Sequence, residues 1–186
     1  MARKIQEQEL NNALHLHKAW LNGNGGQRLN LSYYDLTGVN LSGADLRNAF
    51  MINCNLSGAD LQNADLTGAD LTGTGTILSG AKLCNSTCVG AKFAWAKLYD
   101  ADFSNADMSG ADLRCISANN AIMHNINISD AKLYDAMMMN TDLTGAAMHN
   151  ADLYNANLSG AKCDANMLRK AILENTVMPD GTIHIN

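Results

Sequence analysis

Long hydrophobic runs are missing from this 186-residue chain, although 47% of it is hydrophobic. No stretch approaches the length of a membrane span, and the first ten residues, MARKIQEQEL, lack the apolar core of a signal peptide. No membrane partner is expected. Charge of one sign is also scarce. The formal net charge of -5 is too mild for a nucleic-acid binder or a strongly acidic tail. Proline occurs once. The five cysteines, an odd number at irregular spacings, do not suit a disulfide framework. They suit a reducing compartment, and a cytoplasmic protein is the expectation.

What is present is a beat of five. In NLSGADLQNADLTGADLTG, Ala-Asp-Leu returns every fifth residue. Five residues advance an α-helix by about 500°, so a five-residue column drifts around the barrel. On a strand, five residues reverse the face. The column can be buried only if the chain turns a corner every five residues and offers the same residue inward from each short side. Centres run from Leu31 to Leu71 and resume from Leu78 to Met178, giving 30 pentads, nine before the break and 21 after it. All are apolar, counting Cys88, Ala118 and Cys163, and 18 are Leu. Two positions earlier, 19 are Ala, small enough to sit beside a stacked leucine. Two positions later, 21 are Gly or Asn, which best tolerate positive φ at a corner. The break is read as a two-residue insertion, Thr74 and Gly75.

The residue before each centre should point outward and stack on its counterpart one coil away, at about 4.8 Å. Opposite charges should pair there and like charges avoid each other. Four pentads per coil satisfy this best. They pair Asp60–Lys82, Asp70–Lys92, Lys82–Asp102, Lys92–Asp112, Asp112–Lys132, Lys132–Asp152 and Asp142–Lys162, against one like pair, Asp45–Asp65. Three or five per coil give fewer opposite and more like pairs.

With these residues assigned, ADLQNADLTGADL and ADLYNANLSGAK resemble the pentapeptide-repeat proteins over residues 29 to 180. The resemblance implies an all-β solenoid, a right-handed quadrilateral β-helix. About 30 pentads would make a rod roughly 36 Å long. Residues 1–28 are assigned to an N-terminal α-helical cap and loop, and 29–186 to the repeat, with a short end segment at 181–186. In the cap, residues 4–21 read as an amphipathic helix, with Ile5, Leu10, Ala13, Leu14, Trp20 and Leu21 on one side. It would cover the open edge of the first coil. Tyr34 is too large for an ordinary inward slot but lies under this cap, and Asn166, also inward, needs a hydrogen-bond partner. The C-terminal end has no matching cap. Either two such ends stack into a head-to-head homodimer, the preferred reading, or the edge is too short and irregular to pair.

No chemistry-bearing constellation emerges. His15 and His17 lie two apart on a helix and cannot share a face. His124 and His184 fall three coils apart, and all the histidines, His149 included, read as exposed polar positions. Cys54, Cys88 and Cys163 fall inward, while Cys84 and Cys115 fall outward without a paired base. The aspartates follow the repeat's own spacing, and a convex rod offers no pocket for a catalytic pair. No enzyme, metal site or cofactor is expected.

Two surface features remain. One side stacks Ala94, Arg114, Tyr134 and Tyr154, with Trp95 at its corner and Lys132 and Asp152 in the ladder alongside. Exposed Trp, Tyr and Arg on a rigid face suit a protein-binding hot spot, and a merely stabilising ladder is the plainer alternative. The second is a patch of Ile122, Met137 and Met139, an adaptable contact surface or simple drift. The expected function is a non-catalytic, rigid protein-protein interaction module. From the resemblance comes a rival: some pentapeptide-repeat proteins protect DNA gyrase from inhibitors by mimicking DNA. A 36 Å rod would need roughly twenty negative charges to match duplex DNA. Aspartates interleaved with lysines count against it, and a nucleic-acid partner is not expected either.

Overall fold

In the computed structural model, residues 3–185 are described; residues 1, 2 and 186, which the sequence reading assigns to the cap and the end segment, lie outside the described residues. The chain opens with β1 (Arg3–Lys4) and α1 (Glu7–Leu21), then winds into coils. Among the described residues, the only other helix or strand segments are β2 (Tyr34–Asp35) and α2 (Ala165–Leu168). Everything between is built from single-residue parallel bridges. They join residues 20 apart, as in Asn30↔Phe50, Asp35↔Asn55, Asn40↔Asp60 and Asp45↔Asp65. Steps of five residues closing after 20 define four sides per coil. The first side carries Asn30 to Ile172, the second Asp35 to Val177, the third Asn40 to Lys162 and the fourth Asp45 to Ala147.

Most corners are turns closed by a bond from the third residue after a centre back to that centre, such as Ala44 N–H to the Leu41 carbonyl at 3.0 Å. The residue between them holds positive φ, for example 58° at Asn63 and 65° at Gly80. Inside, the centres and the alanines two positions earlier are buried almost throughout, and Phe93 meets Phe103 edge to face at 6.3 Å. Ile116 and Ala118 exchange the large and small slots and both stay fully buried. Total side-chain volume, not the identity at each slot, is what close packing requires. A buried leucine here contributes on the order of 1.5–3 kcal/mol.

Between Asp70 and Ile77 the ladder steps by seven residues, and Asn55 pairs with Ile77, 22 away. Thr74 and Gly75 bulge outward. The buried Thr76 hydroxyl accepts from Asn53 N–H at 2.9 Å and donates to the Thr72 carbonyl at 2.9 Å. The Asn53 amide oxygen accepts from Gly75 N–H at 3.0 Å. The extra backbone therefore finds partners without disturbing the core.

Several expectations are corrected. The outward stacking pairs all exist as bridges, but of the seven opposite pairs only Asp142–Lys162, at 3.5 Å, closes to an ion pair among the described residues. Most of the aspartates serve their own side instead. Asp70, for one, accepts from Thr72 N–H at 3.1 Å and from its hydroxyl at 2.7 Å. A local Asx-type bond over two residues costs less side-chain entropy than stretching a lysine across coils. The like pair Asp45–Asp65 is reconciled by Arg47, 2.6 Å from Asp45 and 3.7 Å from Asp65.

At the cap, residues 3–4 are not helical; they pair in parallel with Tyr34 and Asp35, extending the second side. His17, expected in solvent, is fully buried. Its Nδ1 accepts the Leu29 N–H at 3.0 Å, which caps an edge donor of the first coil, and its ring stacks on Trp20. Burial, partly countered by Asp45, lowers its pKa from the usual 6.5. The Tyr34 hydroxyl donates to Glu9 of α1 at 3.1 Å. Gly26 holds the loop tight against the helix; at φ 81°, a Cβ there would fall 2.2 Å from the Leu16 carbonyl oxygen.

Near the other end, the side expected around Met167 is replaced by α2, so the regular sides fall short of thirty. Asp164 caps this turn by accepting from Asn166 N–H at 2.8 Å. Asn166 is exposed, not inward, and Cys163 is only half-buried. The tail also closes its own edge. Asp180 and Gly181 reverse the chain, and Val177 pairs antiparallel with Ile183.

Candidate protein-binding face

The first side presents two outward columns. One is the ladder Lys92, Asp112, Lys132 and Asp152. Beside it stand Ala94, Arg114, Tyr134 and Tyr154. Arg114 grips Asp112 with two bonds of 2.6 Å, donates to the Tyr134 hydroxyl at 2.7 Å and lies over the Tyr134 ring. Although its partial burial opposes ionisation, those bonds hold the Asp112 carboxyl below the usual range, and they raise the pKa of Arg114. These three side chains are thus spent on one another, as a stabilising ladder would be. Lys132 is exposed, Asp152 accepts from Tyr154 N–H at 3.1 Å, and Tyr154 stays 39% exposed.

Trp95 is 57% exposed and stands apart from that network. It lines a shallow groove of about 430 Å³ with Thr74, Lys97, Cys115, Ser117, Asp135 and Met137. Sequence reasoning placed Trp95 and Met137 in separate patches; the fold puts them in one. Ile122 is exposed but belongs to the third side, and Met139 is half-buried beside Asn119, which accepts its N–H at 3.0 Å. Lys97, Cys115 and Thr74 belong to neither patch read from the sequence. Counting one coil down from Trp95 gives Cys115, and one coil up, across the two inserted residues, gives Gly73, next to Thr74.

The thiols are poor nucleophiles. Burial pushes Cys54 and Cys88 up to about 12, and burial with the neighbouring Asp102 pushes Cys84 up to about 11. Cys115 and Cys163 are also raised, chiefly by burial. Among the described residues, no group of His, Cys, Asp and Glu could hold a metal ion, and no helix is long and apolar enough to cross a membrane.

Four short sides per coil, a leucine-centred core and left-handed corners define a quadrilateral β-helix. The family model for pentapeptide repeats matches in eight copies, over residues 35–73, 76–114, 121–160 and 140–178. The chain belongs to the pentapeptide-repeat family, whose fold is a right-handed quadrilateral β-helix. Among solved structures it is similar to a pentapeptide-repeat protein from the thylakoid lumen of Arabidopsis thaliana, AT2G44920. That match has 27% identity over 68% of this chain and 85% of that one, with a TM-score of 0.51. HetL from the cyanobacterium Nostoc, involved in heterocyst differentiation regulation, is 26% identical over 97% of this chain and all of that one, with a TM-score of 0.37. A variant of QnrB1, a plasmid-mediated fluoroquinolone resistance protein, is 18% identical over 81% of this chain and 83% of that one, with a TM-score of 0.39. A comparison with curated proteins finds no match.

Proposed function

We propose that this chain is a non-catalytic, rigid interaction module that binds another protein through the face around Trp95. The observation that carries the reading is Trp95 itself, a large aromatic 57% exposed on a corner held by the bonds from Ala96 N–H to the Phe93 carbonyl and from Trp95 N–H to the Arg114 carbonyl. A rigid aromatic anchor loses little conformational freedom on binding. Its family consists in general of structural or interaction modules. A reducing compartment, the cytoplasm, suits the five free cysteines. Self-association, head to head, would use the C-terminal end, where Ile183 and Ile185 are exposed.

The DNA-mimic alternative is disfavoured by charge: the net is -5, and Lys82, Lys92 and Lys132 stand among the aspartates. The purified protein should leave gyrase supercoiling unchanged, with or without a quinolone, and rescue or inhibition would reverse this ranking. Quantitative affinity capture from the source cells, with wild type and a Trp95→Ala/Tyr154→Ala double variant, tests the main reading. Proteins retained by wild type should be lost from the variant. Identical sets would sink it.

A further inference from the structure

At the corners of this fold the chain must adopt positive φ, a conformation Gly accepts freely and Asn and Asp accept with little strain. Among the described residues, three of another kind hold it: Tyr33 (φ 66°), Trp95 (φ 69°) and Cys115 (φ 56°). All three lie on one edge of the rod, between the first and second sides. The backbone bonds trace that edge without a gap. Tyr33 N–H donates to the Ile52 carbonyl, Asn53 to Thr72, Gly73 to Ala94, Trp95 to Arg114, and Cys115 to Tyr134. The two-residue insertion is on the same edge, between Asn53 and Trp95. The other three edges hold only Gly, Asn and Asp in this conformation. A bulky residue in the left-handed region is a backbone outlier, and such strain persists where something other than stability selects it. Both strained aromatics are open to solvent, Tyr33 at 65% and Trp95 at 57% exposure.

The second side, which this edge borders, differs from its neighbour in charge. From Asp35 to Val177 its bridging column reads Asp, Asn, Ile, Lys, Ser, Met, Asn, Val; Asp35, at the cap end, is held by the Thr37 hydroxyl at 2.6 Å, and beyond it Lys97 is the sole charge of the column. The column of Tyr99 and Met139 beside it carries none. Tyr99 and Met137 are 37% and 44% exposed. The first side alternates Asp70, Lys92, Asp112, Lys132 and Asp152. Desolvating that ladder is costly, whereas interface cores favour aromatic and Met residues over charged ones.

Resting on the interaction-module reading above, we infer that the docking surface is the Tyr33–Trp95–Cys115 edge with the second side, not the Arg114–Tyr134 ladder. Its partner is an extended, apolar protein segment carrying at most one carboxylate, which Lys97 receives. Four coil steps from Tyr33 to Cys115 span about 19 Å, the reach of roughly six extended residues. A single lysine cannot neutralise a run of phosphates, so a nucleic acid does not fit this surface.

The test is a phage-displayed random heptapeptide panel selected on the immobilised full-length protein. Peptides that emerge should be apolar with no more than one acidic residue, and should bind Trp95→Asn at least tenfold more weakly. Relief of backbone strain should leave the melting temperature of Trp95→Asn unchanged or raise it by about 2–4 °C, so lost binding is not lost folding. Peptides rich in charge, or binding both proteins equally, overturn the assignment. Peptides lost only on Tyr154→Ala return the interaction module to the first side and sink this edge alone. No enrichment on wild type sinks both.

Discussion

The two ends of the rod face the same hazard, an exposed row of backbone donors and acceptors, and they meet it differently. At the N-terminal end, the fifteen-residue α1 lies across the first coil and buries Leu10 and His17 against it. A histidine nitrogen takes the Leu29 donor, and Arg28 sits 3.7 Å above the Phe50 ring. At the C-terminal end, the chain folds back on its own last side through the Val177–Ile183 pairing and leaves Ile172, Ile183 and Ile185 open. One end is closed by burial and the other by hydrogen bonding. Burial of apolar area carries most of the stability in a small domain, so the N-terminal end should be the firmer at neutral pH.

That contrast can be broken by paired truncations of core leucines. Leu29→Ala, at a position 2% exposed beneath α1, should cost about 2–5 kcal/mol in urea unfolding followed by circular dichroism. Leu173→Ala, at 8% exposure beside the tail, should cost near the lower end of that range. Equal losses would remove the distinction between the ends.

A smaller effect isolates the capping histidine. His17→Ala strands the buried Leu29 N–H and should cost about 1–3 kcal/mol. Acidification should imitate it. Because burial lowers the His17 pKa from 6.5, the unfolded chain takes up a proton before the folded one does. The contribution of His17 is therefore complete above pH 6.5 and declines as pH falls from there toward the lowered folded value. The hydrogen-bonded and paired carboxylates Asp35, Asp45, Asp112 and Asp142, all lowered, begin to lose their share only below about 3.8. Hydrogen exchange at the Leu29 amide should accelerate on mild acidification while amides in the middle coils stay protected. Simultaneous acceleration everywhere would contradict a local device.

The smallest effect probes the open end. Ile185→Ser should change stability by less than about 0.5 kcal/mol, since the side chain is 78% exposed. If the ends associate head to head, sedimentation velocity should still find less dimer in this variant than in wild type. No difference would remove the C-terminal end as a contact.

The repeat was readable because its physics is local. A leucine every five residues, with Gly or Asn two positions later, admits only a chain that turns at every fifth residue. Stacked Asp and Lys betrayed the four-sided register even though most of those pairs do not touch. Where the period fails, so did the reading. Asn166 was assigned inward because its place in the beat is inward, but Asp164 caps a helical turn there and directs it to solvent. His17 follows no five-residue rule, and its burial depends on a coil edge built later in the chain. The candidate face was half legible. Trp95 and Tyr154 stood out by type, but Arg114's commitment to Asp112 and Tyr134 depends on side-chain geometry that no spacing encodes.

The cross-section and coil register follow from the order of residues alone, since every pentad repeats the same local solution of apolar centre, small neighbour and left-handed corner. The bond from Arg114 to Tyr134, and how each end is closed, emerged only from the coiled arrangement. Those features join residues twenty or more apart, or one end to its own neighbouring coil, through contacts that exist only once the coils are stacked.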